Sequence, residues 1–225
     1  MKRDLDVARE PAQSRTADGS PIAFYRLLPA MGEPELIHSA IPAGASVLEL
    51  GCGAGRITRG LIGLGHRVTA VDSSPEMLAE VRAGETVLAD ISGLDLGRSF
   101  ECVLLMSDLV NAGEGDRRSF LETCRRHVAP VGVVVIERMD PLPKWGSSVG
   151  AYGPFHIEVE LVPDGDSLRG VVVYSLPDGR CWTHRFGPGG RVLDDDALRT
   201  ELEAAGLQLE RIFGPARRWC LARPA

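Results

Sequence analysis

Short apolar runs alternate with amphipathic stretches along most of this chain, and their order predicts strand and helix in turn. Val47, Leu48 and Leu50 form the kind of apolar run that a strand buried on both faces requires. A glycine-rich turn follows at Gly51-Cys52-Gly53-Ala54-Gly55, and 56–64 carries helical periodicity. The rhythm continues with a strand over 66–71 ending at Asp72, a helix over 75–83 and a strand over 86–89 ending at Asp90. A strand over 100–106, a helix over 116–128 and a strand over 132–137 complete this part. Such alternation predicts a doubly wound, Rossmann-like, mostly parallel α/β sheet.

The flanks differ. The first 20 residues are polar and turn-rich and predict little order, and 22–38 reads as helical pieces broken by Pro29 and Pro34. Beyond residue 140 the helical period disappears. Strand candidates at 157–161, 168–175 and 180–186 are joined by Pro-Asp-Gly turns at 163–165 and 177–179, which predicts an antiparallel meander. The α/β pattern then resumes with a helix over 194–205 and strands over 207–213 and 218–223. The expected organisation is one domain over 1–225, with an N-terminal helical cap over about 1–40 and an inserted β segment over about 141–193.

A length of 225 residues with 44% hydrophobic positions suits one domain with a substantial core. The net charge of −6 argues against a nucleic-acid surface, and the Arg125-Arg126 pair fits a solvated helix face. No apolar run is long enough to span a bilayer, and the first residues lack signal-peptide organisation. Five scattered cysteines fit reduced thiols, with neither zinc-ligand nor disulfide spacing. The expectation is a cytoplasmic protein that meets neither nucleic acid nor membrane.

The glycine turn is where chemistry concentrates. Its glycines remove side chains between the main chain and a ligand, and the following helix directs its first amides back at the turn. Dinucleotide-binding domains share this logic, but their third glycine comes one residue later than Gly55. Glu49 would also repel a pyrophosphate and suits a cationic ligand group instead. The string Val47-Leu48-Glu49-Leu50-Gly51-Cys52-Gly53-Ala54-Gly55 resembles motif I of the class I S-adenosylmethionine-dependent methyltransferases.

The resemblance covers roughly residues 45–137, and more loosely the final helix and strands. It implies a seven-stranded sheet with one reversed strand near the C-terminus, supplied by the 207–213 and 218–223 pair. It also implies S-adenosylmethionine as cofactor, S-adenosylhomocysteine as product, and a cradle of Glu49, Gly51, Cys52, Gly53 and Gly55. Asp72, 21 residues beyond Gly51, stands where a carboxylate accepts ribose hydroxyls; a strand-end cap is the alternative. By the same resemblance Asp90 and the backbone of Ile91 meet the adenine, although Asp90 also suits a turn. Ser73 and Met77 would flank that ring, with Met77 equally suited to helix core. Met106 and Ser107 would touch the methionine half.

Two departures from the family pattern narrow the acceptor. Residues 107–111 contain no Asn-Pro-Pro-Tyr-like sequence, which disfavours nucleic-acid or protein amide methylation, and Pro130-Val131-Gly132 replaces the usual Pro-Gly-Gly. No Asp-Asn pair follows residue 137, so no metal is expected. Methyl transfer asks mainly for positioning, with a base where the acceptor is a hydroxyl or a protonated amine. Candidate catalytic residues are Glu137, Arg138 and Asp140 after the 132–137 strand, His156, Tyr152 and Trp145 in the insertion, and Tyr25 in the N-terminal helix, with His156 foremost because an ordinary histidine pKa is near neutrality. His156 beside Phe155 also reads as a packed strand residue, and Glu137 as half of an ion pair with Arg138. In topology the insertion resembles the sheet that roofs the active site of small-molecule N-methyltransferases of glycine and amino-sugar types. That resemblance implies a small-molecule acceptor, with methylation at N, O or C, and a possible homodimer through the insertion. Two other readings compete: a protein that binds S-adenosylmethionine without methyl transfer, and a nicotinamide-dependent oxidoreductase, which Glu49 and the glycine spacing disfavour.

Overall fold

The computed structural model describes residues 15–16, 19–82, 84–143, 145–164 and 167–225; most of the polar N-terminal stretch lies outside the described residues. Two short helices, α1 (Ile22–Leu27) and α2 (Glu33–His38), precede the sheet. Then follow β1 (Ser46–Leu50), α3 (Arg56–Gly63), β2 (Arg67–Asp72), α4 (Pro75–Leu78), β3 (Glu85–Leu88) and β4 (Phe100–Leu105). A 3-10 turn at Leu109–Asn111, α5 (Glu114–His127) and β5 (Val128–Glu137) complete the first half. The strands β6 (Gly146–Tyr152), β7 (Phe155–Asp164), β8 (Ser167–Ser175) and β9 (Cys181–Gly190) form a second sheet. The chain ends with α6 (Asp195–Ala204), β10 (Leu207–Phe213) and β11 (Trp219–Pro224).

The main sheet has seven strands in the order β10-β11-β5-β4-β1-β2-β3. All pairings from β5 to β3 are parallel, while β11 runs antiparallel to both β5 and β10, so β11 is the reversed strand. Side chains alternate across each strand. Leu48, Leu50, Val103, Leu105, Val134 and Ile136 face Leu121 of α5 and Leu198 and Leu202 of α6. Val47, Cys102, Leu104, Val133 and Val135 face Ile37 of α2 and Ile57 and Leu61 of α3. This two-sided burial accounts for the unbroken apolar runs in the sequence.

Three elements depart from the sequence pattern. The helix expected over 75–83 stops at Leu78, because Met77 is its one buried residue and turn hydrogen bonds from Glu80 and Val81 to residues three back replace the helical ladder. The strand β5 begins at Val128 rather than Gly132, with a register shift against β4 that accommodates Pro130-Val131-Gly132. The meander has four strands rather than three. Its first, β6, is a Gly- and Ser-rich segment with no alternating apolar pattern, held by backbone pairing to β7 across a Gly153-Pro154 turn.

The second sheet roofs the C-terminal edge of the first. Along β7, Phe155, Ile157 and Val159 turn inward and His156, Glu158 and Glu160 outward. Phe24 of α1 is buried against the inner face, with its ring centroid 5.2 Å from Phe155 and 4.1 Å from Tyr174. Trp182 is fully enclosed in the same cluster. At the other end, buried Asn111 donates to the Arg191 carbonyl at 2.6 Å and accepts from the Met139 amide at 2.8 Å. One amide side chain thereby ties the exit from the roof to the end of β5.

Replacing a fully buried phenylalanine by alanine costs about 3–5 kcal/mol. Phe24→Ala is expected to lose stability in that range by urea unfolding, with the near-ultraviolet circular dichroism of Trp182 flattened. A loss below about 1 kcal/mol would show that the roof does not rest on α1.

Candidate active site

The C-terminal ends of β1, β2, β4 and β5 converge beneath the roof, and the loops leaving them carry the polar groups. The turn after β1 is built for a main chain without side chains. Gly51 has φ +70, and a Cβ there would lie 2.7 Å from Leu109 Cδ1. Gly53 has φ +54 and no atom within 4 Å of where its Cβ would be, so the loop faces open space. Asp72 fixes the loop from the neighbouring strand. Its Oδ2 accepts from the Gly53 amide at 2.8 Å and its Oδ1 from the Ser74 amide at 2.9 Å. Each oxygen keeps lone-pair capacity for a further donor.

Glu49 is 2% exposed and accepts from Thr58 Oγ1 at 2.6 Å. Burial pushes its carboxyl up to about 7, with the Thr58 hydrogen bond and Arg56 opposing and Asp72 adding to the rise. Cys52 is buried, and burial with the nearby Glu49 and Asp72 keeps its thiol protonated. Gly55 has φ +76 and opens α3. Ser73 is exposed beside Asp72. Asp90 is exposed and its Oδ1 accepts from the Ser92 amide at 2.7 Å, capping the turn after β3. Ile91 is buried, its carbonyl accepting from Thr123 Oγ1 at 2.8 Å. Two sulfur side chains belong to the core: Met77 packs on Ile22 and Ala54, and Met106 joins the apolar face shared with α3.

After β4 the backbone turns through two left-handed non-glycine residues, Ser107 at φ +57 and Asp108 at φ +61. Such conformations cost energy and persist where surroundings hold them. Here the Ser107 amide donates to Glu137 Oε2 at 3.0 Å. Arg218 Nη2 lies 3.0 Å from both Asp108 Oδ1 and Glu137 Oε1. Burial raises the pKa of both carboxyls against the pull of this one guanidinium. Glu137 therefore pairs with Arg218. Arg138 is fully buried elsewhere, donating to the Leu193 and Arg217 carbonyls and pairing with Asp195.

A third group joins cap, roof and glycine loop. Glu33 Oε1 accepts from Arg56 Nη1 and from the Tyr152 hydroxyl, both at 2.6 Å. Burial would raise Glu33, but the Tyr152 hydrogen bond and Arg56 outweigh it and hold the carboxyl below its usual range. Tyr25 sits half-buried between the Ile22–Ala54–Met77 contact and the Phe24 ring, 5.2 Å away. His156 is turned away from the aromatic cluster, half-exposed and 3.6 Å from Glu158. The strand parity that buries Phe155 makes this unavoidable, and the geometry gives His156 no part beneath the roof.

Sequence reasoning passed over Asp108, Arg218, Arg56 and Glu33. Asp108 had a local signal, its place one residue beyond Ser107. The other three meet their partners only through the fold.

The Glu49 carboxyl gives a signed pH effect. An unfolded glutamate titrates near ~4.3, so between that pH and about 7 the folded state holds the extra proton. Its ionisation thus costs stability as pH rises through this window, by about 4 kcal/mol in total, and the cost is constant above it. Glu49→Gln is expected to gain stability relative to the parent protein between pH 5 and 8 in ligand-free urea unfolding. A difference that does not change with pH would remove the shifted carboxyl from the account.

Comparison with known proteins agrees with this geometry. The methyltransferase domain family matches residues 47–132. A Streptomyces fradiae dTDP-3-amino-3,6-dideoxy-alpha-D-glucopyranose N,N-dimethyltransferase is 34% identical over 108 residues, covering 45% of this chain and 42% of that protein. A ubiquinone biosynthesis O-methyltransferase of Xanthomonas axonopodis pv. citri is 27% identical over 88% of this chain and 77% of its own. Among solved structures, Streptomyces venezuelae DesVI superposes with a TM-score of 0.69 at 22% identity, over 89% of this chain and 92% of that one. CalS10, an amino pentose methyltransferase from Micromonospora echinaspora, gives 0.67 at 18%, over 92% and 93%. In its glycine motif, its sheet order and the matched segment 47–132, this chain is similar to the S-adenosylmethionine-dependent methyltransferases.

Proposed function

We propose that the protein methylates a small molecule at the expense of S-adenosylmethionine, and that the acceptor atom is an amine nitrogen. The observation that carries the reading is the loop at Gly51–Gly55, opened by three positive-φ glycines and clamped by Asp72. The residues fit the group. Space at Gly53 admits a ligand against the main chain, and Asp72 retains acceptor capacity for ribose hydroxyls. Buried Glu49 lies behind the loop with no ion pair among the described residues, which suits a ligand carrying positive charge. When bound, the sulfonium supplies an electrophilic methyl group, and the protein has only to place an acceptor in line with it.

The chain's own residues bear on the acceptor. Asp108 and Glu137 share one arginine at the ends of β4 and β5, leaving an excess of negative charge that favours an amine. Their raised proton affinities suit a group that takes a proton from that amine, and we assign the task to Asp108. Tyr174, Tyr25 and Tyr152 supply aromatic walls. The amino-sugar relatives support nitrogen; the O-methyltransferase relative, which covers more of this chain, supports oxygen as the second reading.

No helix among the described residues is long and apolar enough to cross a membrane, and all five cysteines are free thiols, which suits a reducing cytoplasm. We also infer a homodimer through the roof, whose outer surface exposes Val149 (70%) and Trp145 (48%). Sedimentation equilibrium should then give twice the 24.2 kDa chain mass, and a monomer at micromolar concentration would exclude it.

The central test measures S-adenosylhomocysteine release with panels of amines and phenols. Asp72→Ala is expected to weaken S-adenosylmethionine roughly tenfold or more, through loss of the loop clamp and of a charge-assisted hydrogen-bond pair. Failure of the parent protein to bind S-adenosylmethionine would overturn the assignment. Tight binding without turnover on any acceptor would establish a binding protein instead.

A further inference from the structure

An open cleft of about 430 Å³ borders the glycine loop at Ala54. It is walled by Ala23, Arg26 and Leu27 of α1, Ala54 and Arg59 at the start of α3, Glu80 and Arg82 beyond α4, and Arg180 beside β9. Helix α1 forms one wall of it. Its Ile22 and Tyr25 pack on Ala54 and Met77, its Phe24 enters the roof cluster, and its remaining face closes this cavity.

Four arginines against one glutamate is an unusual lining in a chain of net charge −6. Part of that charge is already matched: Arg26 pairs with Glu80 at 3.1 Å and Arg180 with Asp178 at 2.8 Å. The rest is not. Arg59 spends one nitrogen on the Ala54 carbonyl at 2.6 Å and has no ion pair among the described residues. Arg82 is exposed and has no hydrogen bond or ion pair among them. Guanidinium groups facing a shared cavity repel one another unless an anion joins them, and their planar forks match phosphate oxygens two at a time. The volume falls within the range of small-ligand pockets and exceeds what a single inorganic ion needs.

We propose that this cavity binds the diphosphate group of a small molecule, with Arg59 and Arg82 as its principal contacts and Arg26 and Arg180 closing on it. The proposal is independent of the methyl-transfer reading. Because Arg59 holds the Ala54 carbonyl within the glycine loop, an occupant would lie directly behind the loop that carries the cofactor motif.

The test is isothermal calorimetry on the full chain with inorganic pyrophosphate and, separately, adenosine diphosphate. Pyrophosphate is expected to bind with a submillimolar Kd that weakens as salt is raised. The double variant Arg59→Ala/Arg82→Ala should weaken it roughly tenfold or more, with circular dichroism unchanged. Arg82→Gln alone, at an exposed side chain with no partner to lose among the described residues, should weaken it severalfold and guards against a folding defect in the double variant. Tighter binding of adenosine diphosphate than of pyrophosphate would make the diphosphate part of a larger organic ligand. Equal binding would make it a free anion. Absence of binding by both probes, or binding that the arginine variants leave unchanged, would overturn the proposal, and neither result depends on whether the protein binds S-adenosylmethionine.

Discussion

The carboxylate of Asp72 is the interaction on which the site depends. A loop with three residues in the left-handed region has no ladder of its own, and its amides need acceptors from elsewhere. Asp72 provides one for Gly53 and, with its other oxygen, one for Ser74 at the start of α4. The Val71 carbonyl, on the same strand, takes the Cys52 amide at 2.9 Å. The end of β2 thereby sets where α3 and α4 begin and how the turn between β1 and α3 faces the cleft. The parallel register of β1 on β2, Leu50 against Val71, is what brings the two ends level.

Around this clamp the charges are shared rather than paired one to one. Arg218 serves Asp108 and Glu137, and Arg56 serves Glu33 while hydrogen-bonding Tyr152. Ion pairs near a surface contribute little by themselves, and those sunk in a cleft offset much of their attraction by lost hydration. Cohesion between roof and sheet therefore comes from the aromatic cluster of Phe24, Phe155 and Trp182 and from the Asn111 hydrogen bonds. The charges hold the cleft's shape and the aromatic core holds its parts together.

Much of the main domain was legible because a parallel sheet covered on both faces imposes unbroken apolar runs, and because the glycine turn has a chemistry that few other residues can reproduce. The strand β6 was not legible: Gly146 to Tyr152 carries no alternation, and pairing with β7 alone makes it a strand. The position of His156 shows a different point. Neutral pKa singled out His156, yet the alternation of Phe155, Ile157 and Val159 already consigned it to the outer face. Met77 and Met106, which the resemblance places at the cofactor, are buried side chains within apolar clusters.

By itself the sequence determined the alternating architecture and the glycine loop with its acidic neighbours. Those features are local, encoded by hydrophobic period, by residues that tolerate positive φ and by carboxylates placed at strand ends. Only the tertiary structure decided that Arg218 meets Asp108 and Glu137, that Glu33 and Tyr152 meet over Arg56, and that four arginines from separate segments surround one cavity. Each joins residues from distant parts of the chain, and no pattern along the sequence specifies a contact that exists only after the roof and the helical cap have packed against the sheet.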